Sequence, residues 1–599
     1  MSNNGDTNDT PTVSRRSLLS WLPQSIAGAS LISSALSGSV RAASAAAPRV
    51  QKGPDRRPLN ILFIFTDQER YFRRLPPGLS LPGHERLWRT GTTFTNHYVG
   101  AVMCSSSRAV MLTGLQTPDN GMFENADMRW VPDLSTNIPT IGHMLRKAGY
   151  YTAYKGKWHL TKSFDQRTPD RLFTKEMEAY GFADYASPGD VVGHTLGGYQ
   201  FDHLIAGSAI TWLRRNGMDL NVDGKPWCLT VSLVNPHDVM YFNTDVPGTA
   251  VQDNGRLLKH VARAPGIDFY KPGWEQPLSP TRLEDFNAAG RPRAHAEYYA
   301  AWGYVLGHVP NEADRWMRYN NFYINSLRAV DAQITNILNE LDALGLAERT
   351  IIVFTSDHGE MGGAHGGLCG KGPFAYEEAI HVPFVVVHPD VQGGHSSKAL
   401  TAAIDIAPSF LAMAGASPER TADIAGRRLP GQDVTPLLGE ASAGPNANRE
   451  AVLFTYSGIA TNDADMVRTA ADAIASGKGM AAVEASGARP NLNKRGSVRS
   501  MFDGRYKFTR YFAPIERNRP TTLEQLYAHN DVELFDLRTD PDEAHNLAAD
   551  KSANPALVLA MSAKLERAIA AEIGRDDGRE MPDVQEKKIA WELHQDPLD

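Results

Sequence analysis

The sequence predicts an α/β fold, with a large, mostly parallel central sheet flanked by helices and a smaller C-terminal antiparallel sheet subdomain. Three observations carry this. The runs "LNILFIFTDQ" (59–68), "WCLTVSLVNPHD" (227–238) and "RTIIVFTSDHGE" (349–360) are short and continuously apolar, the pattern of strands buried on both faces. Stretches with apolar residues at helical spacing lie between them, and strands alternating with helices imply a parallel sheet covered on both sides. After Pro436 the texture changes to short strand-like runs separated by turns.

The elements follow in order. Arg15 and Arg16 precede a modestly apolar run, Leu18 to Val40, and small residues follow in "VRAASAAAP". Residues 1–47 therefore read as a signal peptide of the twin-arginine type, exported to the periplasm or beyond. Ser, Gly and Pro interrupt the run, so it is a poor membrane span, and the mature chain is expected to carry no membrane anchor. The main domain is placed at 58–440. Helical patterns follow: "RAVMLTG" stops at Gly114; "IPTIGHMLRKAGY" stops near Gly149; "NFYINSLRAVDAQITNILNELDALG" stops at Gly345. Residues 240–320, rich in Pro, Gly and aromatics, read as an insertion near the site, where Trp274, Tyr298, Trp302 and Tyr304 either shape a pocket or pack. A C-terminal antiparallel subdomain is placed at 450–548, with a loop or weak helix at 462–494. A charged, partly helical extension takes 549–599.

With 599 residues, 42% hydrophobic and 22% charged, the chain is globular. A net charge of −7 argues against a nucleic-acid binder. Three cysteines, Cys104, Cys228 and Cys369, cannot build a disulfide framework.

In open α/β sheets, ligands gather outside the carboxyl ends of the strands. Asp67–Gln68, His237–Asp238 and Asp357–His358 each directly follow an apolar run. Aspartate is common at strand-end turns, but two carboxylates and an imidazole, with an oxygen from Gln68, together suit a divalent cation. In "YKGKWHL", Lys157 and His159 are two residues apart, which in an extended chain puts both on one face. A lysine there holds an anion and a histidine moves a proton near neutral pH. Lys371 stands between glycines that let backbone approach a ligand. In "VGAVMCSSSRAVMLTG", Cys104 meets the start of a helix, where an anion is stabilised. Arg108 reaches the same turn, and the serines are expected to cap free N–H groups. This is how a nucleophile is presented.

The ordered set "NILFIFTDQ", "CSSSRAVMLTG", "GKWHL", "NPHD", "SDHGE", "GKGPFAYEEAIHVPF", "DIAPSFLAMAG" and "ELFDLRTDPDEAHNLA" resembles the sulfatase family of the alkaline phosphatase superfamily, over about Leu59 to Leu547. The resemblance implies a metal-dependent sulfuric ester hydrolase whose Cys104 a formylglycine-generating enzyme converts to formylglycine. It implies metal ligation by Asp67, Asp357, His358 and the group at 104, with Gln68 where many members have a second aspartate. Calcium is the usual metal, with manganese or magnesium as alternatives. Arg108 and the metal would activate a hydroxyl of the hydrated aldehyde; Lys157 and Lys371 would neutralise the transferring group. His237 would protonate the leaving oxygen, and His159 would deprotonate the second hydroxyl. The family's modification signal has Pro or Ala where this chain has Ser106. The same scaffold also supports phosphodiesterases and phosphonate monoester hydrolases, and a non-catalytic metal and anion binder is a third reading.

Overall fold

Eight buried residues, Asn60–Asp67, form β1 at the centre of the main sheet. The computed structural model describes residues 58–582 except 129, 165–171, 188, 253–260, 479–481, 484 and 487. The signal peptide expected over 1–47 and the end of the C-terminal extension lie outside the described residues. Beyond β1, the main domain runs through α1 (Pro82–Thr90), β2 (Thr92–Tyr98), α2 (Cys104–Thr113), α3 (Ile141–Lys147) and β3 (Tyr151–Gly156). It continues with α4 (Gly197–Trp212), β4 (Trp227–Pro236), α5 (Arg293–Val305), α6 (Ala313–Ala343), β5 (Thr350–Ser356), β6 (Phe384–Val387), β7 (His395–Ala402) and α7 (Ile406–Met413). The C-terminal part holds β8 (Val452–Tyr456), α8 (Ala464–Ala473), β9 (Ser497–Phe502), β10 (Tyr506–Phe512), β11 (Asn530–Asp536) and α9 (Pro555–Glu572).

The strands of the seven-stranded sheet run in the order β3-β4-β1-β5-β6-β2-β7. All neighbours pair in parallel except β6, which is antiparallel to both β5 and β2. Side chains alternate across β1. Leu62 and Ile64 pack on Leu327, Ile334 and Leu338 of α6, and Ile61, Phe63 and Phe65 face the core that holds α2 and α7. Because β4, β1 and β5 are parallel neighbours, their carboxyl ends deliver His237, Asp67 and Asp357 to one edge.

Helix ends follow the sequence signals. Gly114 closes α2 in the left-handed region (φ 68°), which a residue without Cβ adopts at little cost. The long helix α6 begins eight residues before the expected "NFYINS", because Asp314 to Asn320 continue its buried face through Arg315, Trp316 and Tyr319. In the 240–320 segment, Tyr298 stacks on Trp302 with ring centroids 5.4 Å apart, and the Trp274 indole N–H donates to Asn325 at 3.0 Å. Tyr298 and Trp302 are buried against Gly370 and Gly372, so α5 backs the Lys371 loop.

The smaller sheet is antiparallel, in the order β11-β10-β9-β8. Val558, Leu565 and Ile569 of α9 share one core with Leu453, Phe508 and Leu534 of this sheet. The sheet meets the main domain through a bridge of Ala101 to Thr455 and through Lys507, whose Nζ lies 2.8 Å from Glu377; Glu543, from the segment after β11, lies 2.9 Å from the same Nζ. Among the described residues no helix is long and apolar enough to cross a membrane.

One buried charge cluster pins α1 to α6. His84 is 1% exposed; its Nε2 lies 2.9 Å from Glu69 and its Nδ1 2.6 Å from Asp331. Burial would lower its pKa, but the two carboxylates outweigh that and raise it to about 10. His84→Gln leaves buried carboxylates without their cation and is expected to cost about 3–5 kcal/mol. A pKa raised from 6.5 gives stability that is full below 6.5 and is lost as pH rises through about 10. Urea unfolding of the parent and His84→Gln at pH 6 and pH 10.5 checks this: the difference in stability is expected to shrink at the higher pH, and a constant difference would refute it.

Candidate active site

The three central strands end in residues that converge on Cys104. Its Sγ lies 3.2 Å from His358 Nε2, 3.6 Å from Asp67 Oδ1 and 3.9 Å from Lys157 Nζ. His159, His237 and Lys371 stand near enough to interact electrostatically with the Cys104 sulfur. Cys104 is the first residue of α2, after Met103 at φ 78°. Three non-glycine residues in the left-handed region, Gln68 (φ 72°), Met103 and His159 (φ 55°), border the cluster. Such conformations cost on the order of 1–3 kcal/mol each and persist only where surrounding contacts hold them.

Arg108 is fully buried, and all three of its guanidinium nitrogens donate hydrogen bonds. Nη2 donates to Asp67 at 2.8 Å, Nε to Asp357 at 2.9 Å, and Nη1 to the Lys157 carbonyl and Ser232 Oγ, both at 2.8 Å. It therefore fixes the orientation of both carboxylates. Lys157 Nζ also reaches Asp67, at 2.7 Å.

The structure corrects two expectations and adds detail on Asp238 and Gln68. No serine side chain caps α2: Ser105 Oγ donates to the His159 carbonyl, Ser107 Oγ donates to the Asp357 carbonyl, and Ser106 Oγ is buried without a hydrogen-bond partner. Those two hydroxyls face carbonyls of neighbouring loops and so tie the helix start to them. Lys157 and His159 do not share an extended face, because β3 ends at Gly156 (φ 96°), where a Cβ would meet the Ser232 carbonyl at 2.0 Å. A turn rather than a pleat brings both side chains to Cys104. Asp238 lies outside the cation cluster; its carboxylate accepts the Gly198 and Tyr199 N–H groups at 2.8 Å each, where the open end of α4 draws an anion. The Gln68 side-chain oxygen accepts from Lys371 Nζ at 2.7 Å.

Sequence reasoning missed Asp127, 3.3 Å from His159 Nε2 and more open to solvent, with 38% of its side chain exposed. It also missed Asp190, whose carboxylate accepts the backbone N–H groups of Trp158 and His159. Neither sits in an apolar-strand motif, so no local pattern marks them.

The electrostatics suit anion chemistry. Burial would raise the Cys104 thiol, but Lys157, Lys371 and His358 hold it well below its ordinary value. Burial and the Cys104 sulfur push Asp67 up, yet Lys157, His237 and Arg108 prevail and hold it well below the usual carboxylate range. Burial and the Asp67 charge push Asp357 up. Burial and Lys157 press His237 down to about 4, whereas contacts with Asp127 and Cys104 overcome burial at His159 and raise it to about 9.

The donor set also fits a cation. Ligand atoms of Asp67, Cys104, Asp357 and His358 lie within 4.8 Å of one another. His358 Nδ1 pairs with the Gly359 carbonyl at 3.1 Å, which leaves Nε2 turned to the cluster. A second group, His365, Glu378 and Glu543, meets the same spacing, but there Lys507 already supplies a cation to Glu543.

The family model for sulfatases matches residues 60–416, more than half of the chain. The chain belongs to the sulfatase family. As a sulfatase it is a sulfuric ester hydrolase. N-acetylglucosamine-6-O-sulfatase of Bacteroides thetaiotaomicron is 28% identical over 446 residues, which cover 68% of this sulfatase and 75% of that one. Choline-sulfatase of Rhizobium meliloti is 26% identical, over 60% of this chain and 68% of its own. Phosphonate monoester hydrolase of Agrobacterium radiobacter shares the fold with a TM-score of 0.57 at 20% identity, over 86% of this sulfatase and 96% of its own chain.

Proposed function

We propose that this sulfatase moves the sulfuryl group of its ester to the residue at position 104, beside one divalent cation held by Asp67, Asp357 and His358, with Gln68 as a further oxygen donor. The observation that supports this is the close set of four ligand atoms with the group at 104 among them. The cation, calcium or else manganese or magnesium, would supply positive charge where negative charge develops. Formylglycine made from Cys104 by a formylglycine-generating enzyme would supply an oxygen nucleophile in place of sulfur; Ser106, in the middle of the modification signal, is small and buried.

The chain's own residues do the rest. Lys157 and Lys371 neutralise the sulfuryl oxygens, a charge-stabilising role in a water-poor site. His237 gives a proton to the leaving oxygen; His159, whose raised pKa rests in part on the Cys104 sulfur that the modification removes, takes one from position 104, steadied by Asp127. Arg108 holds Asp67 and Asp357 in ligating orientation. The paired Arg15 and Arg16 support export by the twin-arginine route to the periplasm, after folding and modification.

Sulfate and phosphonate esters present similar tetrahedral anions, and the fold is shared with a phosphonate monoester hydrolase. A side-by-side assay separates the readings: 4-nitrophenyl sulfate, N-acetylglucosamine 6-sulfate and choline sulfate against a phenyl phosphonate monoester. We expect kcat/KM for at least one sulfate ester to exceed that for the phosphonate by tenfold or more (roughly 1.4 kcal/mol). A preference for the phosphonate would reverse the assignment.

A further inference from the structure

We propose that Glu360 is a positioning residue for sulfate ester hydrolysis: its carboxylate sets which end of the Gln68 amide faces the site and holds the loop that carries Lys371. Glu360 closes the "SDHGE" run, is fully buried, and makes no contact with Cys104. Its two oxygens take four donors. Oε2 accepts from Gln68 Nε2, and Oε1 accepts from Tyr319 Oη at 3.0 Å, Gly362 N at 2.9 Å and Gly370 N at 2.8 Å. Four segments thus meet on one side chain: the end of β1 through Gln68, α6 through Tyr319, the turn after β5 through Gly362, and the residue immediately before Lys371.

The consequence follows from donor and acceptor types. The two ends of a glutamine amide have nearly the same shape, and only their partners decide which way round they lie. A carboxylate only accepts, so Glu360 commands the amide nitrogen and sends Oε1 the other way. There it accepts from Lys371 Nζ at 2.7 Å. The rest of Gln68 is equally constrained: its N–H donates to Asp357 Oδ1 at 3.1 Å and its carbonyl accepts from Tyr323 Oη at 2.7 Å. The side-chain amide is therefore the remaining freedom, and Glu360 removes it. Lys371 is fixed from both sides, by the Gln68 oxygen at its ammonium and by Glu360 at the backbone of its neighbour.

Glu360→Gln tests this with almost no change in volume. The amide oxygen can still accept from Tyr319, Gly362 and Gly370, but its NH₂ now opposes the NH₂ of Gln68. Gln68 must turn over and present donors to Lys371. We expect kcat/KM for a sulfate ester to fall roughly 10–100-fold, the usual scale for removing an orienting partner. Affinity for inorganic sulfate, measured by calorimetry, should weaken in parallel, while the melting temperature stays within a few degrees. The double variant Gln68→Glu/Glu360→Gln exchanges donor and acceptor, with position 68 accepting from both position 360 and Lys371. It is expected to recover most of the lost sulfate affinity and activity, which a merely structural carboxylate would not predict.

Parental kcat/KM and sulfate affinity in Glu360→Gln would overturn the proposal, as would a double variant no better than the single one. Should Glu360→Gln fail to fold, the double variant is still expected to fold, and its failure too would assign Glu360 a purely structural role. The inference rests on Lys371 contacting the transferring group, and Lys371→Ala separates the two. Full activity in Lys371→Ala would remove that role and the Glu360 proposal with it. Loss in Lys371→Ala without loss in Glu360→Gln would overturn the positioning alone.

Discussion

Cys104→Ala is expected to abolish sulfate ester turnover, a loss on the order of 10⁶-fold in kcat if position 104 supplies the nucleophile. The reason is geometric. His358, Asp67 and Lys157 lie within 3.9 Å of the Cys104 sulfur, and none of them can replace an attacking atom at the start of α2. The fold should survive, because alanine suits the first turn of a helix and the loss of one sulfur is a small change in volume. Circular dichroism, kcat/KM and the mass of the peptide spanning position 104 check the prediction together. The parent peptide should carry oxygen in place of sulfur after expression in the native host. Activity of Cys104→Ala above about one per cent of parent would remove position 104 from the chemistry. An unmodified cysteine in a fully active parent would remove formylglycine while leaving the residue in place.

His237→Ala is expected to cost on the order of 10²–10⁴-fold with a poor leaving group such as a sugar alcohol, the usual worth of a general acid. It should cost far less with 4-nitrophenyl sulfate, whose leaving group needs no proton. The pKa of His237 makes this a demanding test. Burial first, then the cationic field of Lys157 and Lys371, hold it near 4, so the free imidazole is neutral at pH 7. An anionic ester bound against those lysines cancels their field and raises the His237 pKa, so the acid form is favoured by the substrate it serves. Equal losses with both leaving groups would take the proton-donor role away from His237.

Much of the fold could be read from local pattern. The runs beginning at Leu59, Trp227 and Arg349 are apolar on both faces, and only a sheet covered on both sides buries such strands. Gly114, Gly149 and Gly345 mark helix ends because they adopt positive φ there. The site was legible where a residue follows a strand directly: Asp67, His237 and Asp357 reach one edge because parallel neighbours share a direction. Residues whose role depends on loop paths were not legible. Asp127 meets His159 across 32 positions of chain, and Glu360 meets Gln68 across 292. Capping by the serines was the wrong inference from a sound local rule, because carbonyls from distant loops compete for the same hydroxyls.

The sequence by itself determined which residue types stand at the tips of the buried strands and at the head of α2, since hydrophobic periodicity and helix signals are properties of neighbouring residues. Only the tertiary structure decided how those groups are oriented: Arg108 between the two aspartates, Gln68 with its oxygen toward Lys371, His159 turned by Gly156 and held by Asp127. Orientation at a buried polar site is settled by which donor meets which acceptor, and those partners come from segments that chain order does not bring together.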